Sequence, residues 1–304
     1  MSIIGSVNKS LVAFCLLSSS LSAQELEPRA LINAPIGMNF VIVASGYIYG
    51  NVLLDPAVPI EDLTADLWTV AAAYARSISF FGLAGKIGGA VPYAAGTWNG
   101  RLNGTDTSVS RTGFGDPVLK LTVNFIGSPA LPLSGFRSYR QSTVAGFSLA
   151  VAAPLGQYIT GKLINLGSNR WTITPRLGAS KVLGSWYAEA YLGASFFTAN
   201  TDFFGGQRLT QEPLFDTQAH LIRLIRGQSF WIAGSVGYIW GGQSSLDGVP
   251  KTSIESVRAS LTLRVPVARQ HGLKVAYING VSARFGGDFD TIQLAWQYVF
   301  GGKK

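Results

Sequence analysis

Near the end of the chain Ile292, Leu294, Trp296, Tyr298 and Phe300 alternate with Thr291, Gln293, Ala295 and Gln297. Successive side chains of a strand point to opposite faces, so this stretch predicts a strand with one apolar and one polar face. The same reading sets Val257, Ala259, Leu261, Leu263 and Val265 against Arg258, Ser260, Thr262 and Arg264. Leu119, Leu121, Val123 and Phe125 likewise oppose Lys120, Thr122 and Asn124. From residue 36 onward this period of two predicts about twelve strands. They fall near 36–49, 67–80, 85–98, 116–125, 142–154, 171–181, 186–198, 214–225, 229–241, 255–267, 272–285 and 290–300. Several exceed the 5 to 6 residues usual in soluble proteins and approach the roughly 9 to 11 of a membrane strand. No Pro/Ser-rich linker divides them, so residues 36–300 read as one domain.

A soluble sandwich would show the same period, so the connections and aromatics must decide. Short links at 81–84, 182–185, 226–228 and 268–271 alternate with long ones at 50–66, 99–115, 155–170, 199–213 and 242–254. Short periplasmic turns and longer outer loops are the asymmetry of outer-membrane barrels. One link breaks the rule: 126–141 should be periplasmic yet is long, and its Pro-Leu-Ser-Gly-Phe stretch predicts a short helix at the rim. Phe80, Phe81, Phe125, Trp186, Phe230, Trp231 and Phe300 fall at one end of the strands. Tyr47, Tyr49, Trp98, Trp171, Phe196, Phe197, Tyr238, Trp240 and Phe285 fall at the other. Two aromatic bands separated by strand bodies read as membrane girdles, whereas a sandwich would bury its aromatics mid-strand.

Composition agrees. Only 13% of the 304 residues are charged while 47% are hydrophobic, against about 25% charged in soluble chains. No apolar stretch reaches the roughly 18 to 20 residues of a spanning helix, which leaves a closed barrel as the membrane solution. The fold expected is therefore an all-β, antiparallel, up-and-down transmembrane barrel. Lys9, the apolar run Leu11–Leu17 and Leu21-Ser22-Ala23 before Gln24 predict an export leader over 1–23. An N-terminal periplasmic segment at 24–35 and a tail at 301–304 complete the expected organisation. Cys15, the single cysteine, lies in the leader, so a processed chain has no thiolate chemistry. The expected location is the Gram-negative outer membrane, with outer-membrane lipid, lipopolysaccharide and the barrel-assembly machinery as partners.

Charge placement bears on function more than the net +8 does. Most acidic residues, Asp66, Asp116, Asp216, Glu255 and Asp290 among them, fall in outer links or at strand ends, and only Glu189 sits in a strand body. Lys86, Lys120, Arg176, Arg258, Arg264, Lys274 and Arg284 share the parity of polar neighbours, and Arg76 falls on the apolar parity near a periplasmic end. A lysine or arginine on the lipid face at the midplane costs about 2 to 4 kcal/mol, so basic residues in strands belong to the lumen. The candidate solute-contacting set is Lys120, Arg176, Glu189, Arg223, Arg258, Arg264, Lys274 and Arg284. For Arg223 alone the parity is mute, because its strand is apolar on both faces. A basic lumen favours anions and polar solutes bearing carboxylate or phenolate groups.

Other chemistries find little support. His220 and His271 are the only histidines, and neither has a serine in a recognisable nucleophile motif beside it. No zinc-binding His pair or phosphate loop occurs, and Gly113-Phe114-Gly115-Asp116-Pro117 opens a strand rather than a helix. No cofactor or metal site is expected. No clustered Lys/Arg tract points to nucleic acid.

Certain words of the sequence carry a resemblance. They are Gly115-Asp116-Pro117, Leu163-Ile164-Asn165-Leu166-Gly167-Ser168-Asn169-Arg170-Trp171, Asp202-Phe203-Phe204-Gly205-Gly206 and Gly287-Asp288-Phe289-Asp290-Thr291, with Arg140-Gln141 and Pro154-Leu155-Gly156-Gln157-Tyr158. In these the chain resembles the outer-membrane transporter-like family named for a MetA pathway of phenol degradation. The resemblance implies a porin-like barrel and uptake of aromatic compounds, with no catalytic residues to carry over. The chain departs from the usual aromatic barrel terminus, since Gly-Gly-Lys-Lys follows Phe300. The expected function is passive uptake of a small solute. The alternatives are a surface-structural or adhesion barrel with a plugged lumen, and a barrel hydrolase.

Overall fold

The computed structural model describes residues 26–53, 60–102, 104–226 and 229–302. The leader expected at 1–23 and residues 303–304 of the tail lie outside them. In chain order the strands are β1 (Met38–Leu53), β2 (Ile60–Phe80), β3 (Leu83–Leu102), β4 (Thr105–Phe114), β5 (Val118–Ile126) and β6 (Thr143–Ala152). There follow β7 (Thr172–Leu183), β8 (Trp186–Phe197), β9 (Asn200–Phe203), β10 (Gln207–Gln211), β11 (Leu214–Arg226) and β12 (Phe230–Gly241). The last are β13 (Ser244–Leu246), β14 (Val249–Pro250), β15 (Ile254–Ala268) and β16 (His271–Gly301). Among the described residues no helix is long and apolar enough to cross a membrane.

β4 and β5 both pair with β3, at Tyr93–Leu102 and Gly85–Ala90, so they are two halves of one wall strand broken at Gly115-Asp116-Pro117. β16 does the opposite and supplies two wall strands, 271–285 against β15 and 286–301 against β1. With those two adjustments the wall is a closed, wholly antiparallel barrel of twelve strands. Closure removes every sheet edge from the lipid, where an unpaired N–H or C=O would cost several kcal/mol. β9, β10, β13 and β14 form a separate four-stranded sheet. The long link at the periplasmic end carries the expected short helix, α1 (Leu133–Phe136).

Two of the expected outer links are largely strand. β2 runs for 21 residues and β3 for 20, about 70 Å each at roughly 3.3 Å per residue. That is more than twice the bilayer's hydrocarbon core of about 30 Å. At the outer end of β2, Leu63 and Ala65 are buried with Ile48, Leu67 and Trp98 on the inward face, whereas the Thr-, Asn- and Ser-rich ends of β3 and β4 are largely exposed, and the backbone ladder continues through them.

Outside the wall, Val70, Ile87, Val91, Leu119, Leu177, Leu192, Leu221, Leu261, Ile292 and Leu294 are all exposed, forming the lipid-facing belt. Aromatic bands bound it. At the periplasmic end His271 stacks on Tyr298, with ring centroids 4.8 Å apart, and Tyr298 on Phe300 at 5.2 Å. At the outer end Tyr47 meets Trp68 at 5.0 Å and Tyr238 stacks on Trp240 at 5.3 Å. Arg76 lies on the outer face near the periplasmic end and donates to the side-chain oxygen of Asn39 at 3.2 Å, turning its charge toward the rim.

Candidate functional site

The inward face of the barrel has two unlike arcs. On one side, β5, β7, β8, β11, β12 and β15 turn Lys120, Thr122, Arg176, Glu189, Tyr191, Asp216, Gln218, His220, Ser235, Arg258 and Ser260 toward the lumen. On the other, β1 to β3 contribute Ala44, Gly46, Ile48, Leu67, Ala71, Ala73, Ala90, Pro92, Ala94 and Trp98, and β16 adds Ala276, Ile278, Phe289 and Ala295. A solute in the lumen therefore meets mainly hydrogen-bonding and charged groups on one flank and mainly small or apolar groups on the other, where Lys86 and Lys274 stand toward the periplasmic end.

Within the polar arc the charges are paired. Arg176 Nη2 donates to Asp216 Oδ1 at 2.9 Å, with side chains only 12% and 2% exposed. Sequence position put Asp216 among the acidic residues of outer links and strand ends. The structure instead turns it inward with Gln218 and His220, because β11 alternates buried and exposed residues from Leu214 onward. Glu189 accepts hydrogen bonds from Ser180 Oγ and Tyr191 OH, both at 3.0 Å, and from the backbone N–H of Arg29 at 2.7 Å.

That last contact belongs to the segment expected in the periplasm at 24–35, whose described residues begin at Leu26. Residues 27–32 lie inside the wall, and Asn33 and Ile36 meet Pro129 and Leu131 at the rim. Lys86 Nζ donates to the carbonyls of Ala30 at 2.8 Å and Ile32 at 3.2 Å. Asn124 donates to the carbonyl of Leu31 at 2.9 Å, and Lys120 Nζ meets Glu27 Oε2 at 2.5 Å. The Arg29 guanidinium sits 4.3 Å above the Tyr187 ring. Leu31 is buried against Val144 and Tyr191. It presses on Gly146, where a Cβ would stand 2.8 Å from Leu31 Cδ2. A turn rich in backbone polar groups can enter a barrel only where the wall offers donors and acceptors, and the lysines and asparagine of β3 and β5 do so. With this segment in place, the space beside it shrinks to a cavity of about 10 Å³ bounded by Glu27, Lys120, Thr122, Arg176, Tyr191 and Gln218, room for about one water.

The outer mouth is covered as well, by the connection between β6 and β7. Asp116, at the break between β4 and β5, accepts from the backbone N–H of Gly156 at 2.9 Å and of Ser168 at 2.8 Å. Gly156 and Gly167 meet backbone to backbone, where a Cβ on Gly167 would lie 2.7 Å from the Gly156 carbonyl carbon. So fastened, Leu163, Ile164 and Leu166 pack on inward-facing Ile48, Leu67, Trp98 and Phe289. Leu163 also contacts Phe203, Leu209 and Leu246 of the small sheet above.

Of the candidate solute-contacting residues, Lys120, Arg176, Glu189, Arg258, Arg264 and Lys274 face the lumen. Arg258 is 6% exposed. Arg264 lies nearer the periplasmic end, donating to the carbonyl of Ser229 at 2.6 Å and to Gln297 Oε1 at 3.1 Å. Arg223 does not line the lumen. It shares the outward parity of Leu221 and Ile225, hydrogen-bonds Ser185 Oγ and lies 5.1 Å from the Trp186 ring, at the headgroup level where a charge can reach water. The side chain of Arg284 is outside the described residues. Glu27, Arg29 and His220 are lumen groups that strand parity missed, the first two because they belong to no strand.

Glu189, His220 and Ser235 are cross-strand neighbours on the lumen face. Both His220 nitrogens and Ser235 Oγ are nevertheless without hydrogen-bond partners, so the row is not an assembled acid–base–nucleophile relay. Among the described residues no group of three or more His, Cys, Asp and Glu is placed to hold a metal ion.

A closed twelve-stranded wall with a lipid-facing belt, aromatic girdles and a partly polar interior defines an outer-membrane-type β-barrel. Residues 58–290 match the family model "Putative MetA-pathway of phenol degradation", and the chain belongs to that family. No curated protein matches it. Its structure is similar to the crystal structure of an outer membrane channel from Pseudomonas putida F1, with a TM-score of 0.76 and 18% identity over 91% of this chain and 100% of that one. It is similar at a TM-score of 0.53 and 10% identity to the transport unit of the autotransporter AIDA-I from Escherichia coli, covering 92% of this chain and 94% of that one.

Proposed function

We propose that the protein is an outer-membrane channel that lets small organic anions with an apolar body diffuse inward, aromatic carboxylates and phenolates being the class that fits best. The observation carrying this reading is the division of the lumen into a charged, hydrogen-bonding arc and an arc whose lining is largely alanine, glycine and apolar side chains above Lys86 and Lys274. A simple inorganic anion would need only the first, and an uncharged hydrocarbon only the second. The family's association with phenol degradation and the likeness to a Pseudomonas outer membrane channel support it. The test is swelling of proteoliposomes in benzoate against benzyl alcohol and against a cation of similar size. Benzoate should enter fastest, and Arg258→Ala combined with Arg264→Ala should remove its advantage over the cation. Swelling no faster than that of empty liposomes for every solute would sink the proposal.

A second reading has its own observation. Both ends of the lumen are covered, and the β2–β3–β4 sheet projects beyond the bilayer, as a surface-structural or adhesion barrel would require. It predicts that no solute passes even when residues 26–36 are displaced, which the swelling assay on a Glu27→Gln chain decides.

A further inference from the structure

Glu27 brings a carboxylate into the lumen and sets it on Lys120 at 2.5 Å. Lys86, on β3, holds the same segment through the Ala30 and Ile32 carbonyls, and Lys274 faces the lumen from β16. The inserted segment thus meets lysines from two separate stretches of wall, Lys120 of β5 at its carboxylate and Lys86 of β3 at its carbonyls. Arg176, a cation lining the same cavity, is already matched by Asp216. The cavity that Glu27 and Lys120 share with Arg176 and Gln218 holds about one water, so a benzoate-sized molecule has no room in it beside Glu27.

From this we infer that Lys120, with Lys86 and Lys274, is the carboxylate-binding site of the channel, that Glu27 occupies it as an internal stand-in for the solute, and that an incoming carboxylate opens the lumen by taking its place. The inference rests on the channel reading above and adds the site and the trigger. Lys86 serves both states. It holds the Ala30 and Ile32 carbonyls when the segment is seated, and its ammonium can turn to a solute carboxylate when those carbonyls leave. The remaining anchors of the segment, Leu31 in its recess over Gly146 and the Arg29 N–H on Glu189, hold it in the absence of solute. Losing the ion pair weakens a set of contacts rather than creating a new one. No bond is made or broken; the exchange is of one carboxylate for another on the same ammonium groups.

The test reads the segment rather than the flux. Ala30→Cys in a Cys15→Ser chain, reconstituted in liposomes, is reacted with a bulky water-soluble maleimide at neutral pH. Labelling should be slow without solute and rise tenfold or more with millimolar benzoate, with no rise for benzyl alcohol. Glu27→Gln should label fast without benzoate, and Lys120→Gln should label fast and ignore benzoate. Rates that benzoate leaves unchanged, or that benzyl alcohol raises equally, overturn the inference, as does slow labelling of Glu27→Gln. Circular dichroism and the heat-dependent gel shift of the barrel confirm that each variant has folded. The two readings fail separately: benzoate permeation without a labelling response defeats the trigger alone, and a labelling response without permeation defeats the channel alone.

Discussion

The two arcs of the lumen are built from the same strand geometry and differ in what holds them. The polar arc is a set of mutually dependent charges, in which Arg176 leans on Asp216, and Glu189 on Ser180, Tyr191 and the Arg29 backbone. The arc from β16 through β3 is mostly small or apolar, with Lys86, Lys274 and Gln297 confined to its periplasmic end, and its alanines and glycines need no partner and leave width in the lumen. Substitutions in the first should therefore cost stability. In the second they should cost transport and leave the barrel sound.

The largest effect is expected at Asp216. Asp216→Asn leaves the Arg176 guanidinium nearly buried without its counter-ion, and breaking a buried pair from one side costs about 3 to 5 kcal/mol. Urea unfolding followed by the heat-dependent gel shift should show a loss of that order. A loss below about 1 kcal/mol would mean that lumen water stands in for the carboxylate, and that the polar arc is looser than its pairing implies.

Ala73→Asp makes the complementary change across the lumen. A fixed carboxylate about 10 Å from a passing one costs about 1.7 kcal/mol at an effective dielectric of about 20. Benzoate entry should fall somewhat over tenfold, with benzyl alcohol entry and urea stability little changed. Equal loss for both solutes would show that the substitution narrows the lumen sterically and that charge on this arc is irrelevant.

The third expectation concerns Glu27, which stands in neither arc. Burial alone would push its carboxyl up, but the charge of Lys120, its hydrogen bond and the charges of Lys274 and Lys86 hold it at about 2 instead of 4.5. A carboxyl whose value is depressed on docking stabilises the docked state fully above about 4.5, and the contribution fades as pH falls toward about 2. Arg176, Glu189, Tyr191 and His220 also face this region, so the Glu27→Gln chain isolates the one group. Planar-bilayer conductance of the native chain should rise several-fold between pH 6 and pH 3, while Glu27→Gln should be high and nearly flat. A native chain that closes further in acid would place the controlling titration elsewhere.

Sequence reading reached the wall and much of its lining, because period-two alternation is a direct consequence of lipid outside and polarity inside. Strand 255–267 and the final stretch to Phe300 show this clearly, and Arg258, Arg264 and Lys120 followed from parity alone. Parity failed where its cause is absent. The outer end of β3 and all of β4 are largely exposed, and Arg223 lies where Leu221, Ile222, Leu224 and Ile225 make both faces of β11 apolar. Residues 26–36 form no strand, so nothing in their order announces that Leu31 seats over Gly146. The words that carry the family resemblance, Gly115-Asp116-Pro117, 163–171 and 202–206, come together at the outer cover. That assembly of a kinked strand, a carboxylate accepting two backbone N–H groups and touching glycines depends on contacts between segments far apart in the chain.

The smallest effect is expected outside the lumen, and it sharpens the contrast between the arcs by removing burial from it. Arg101 and Asp62 form an ion pair as short as any in the lumen, at 2.5 Å, but on the projecting outer sheet, with side chains 47% and 75% exposed. Water screens such a pair, and holding two long side chains together offsets most of the attraction. Arg101→Ala should therefore change the unfolding free energy by no more than about 0.5 kcal/mol and leave benzoate entry untouched. The same charge types at a similar distance would then differ several-fold in consequence between Arg101–Asp62 and Arg176–Asp216, with exclusion of water as the remaining variable. A loss at Arg101 comparable to that at Asp216 would mean that the projecting sheet is part of the barrel's cooperative structure, and that the polar arc owes its rigidity to more than its own buried pairs.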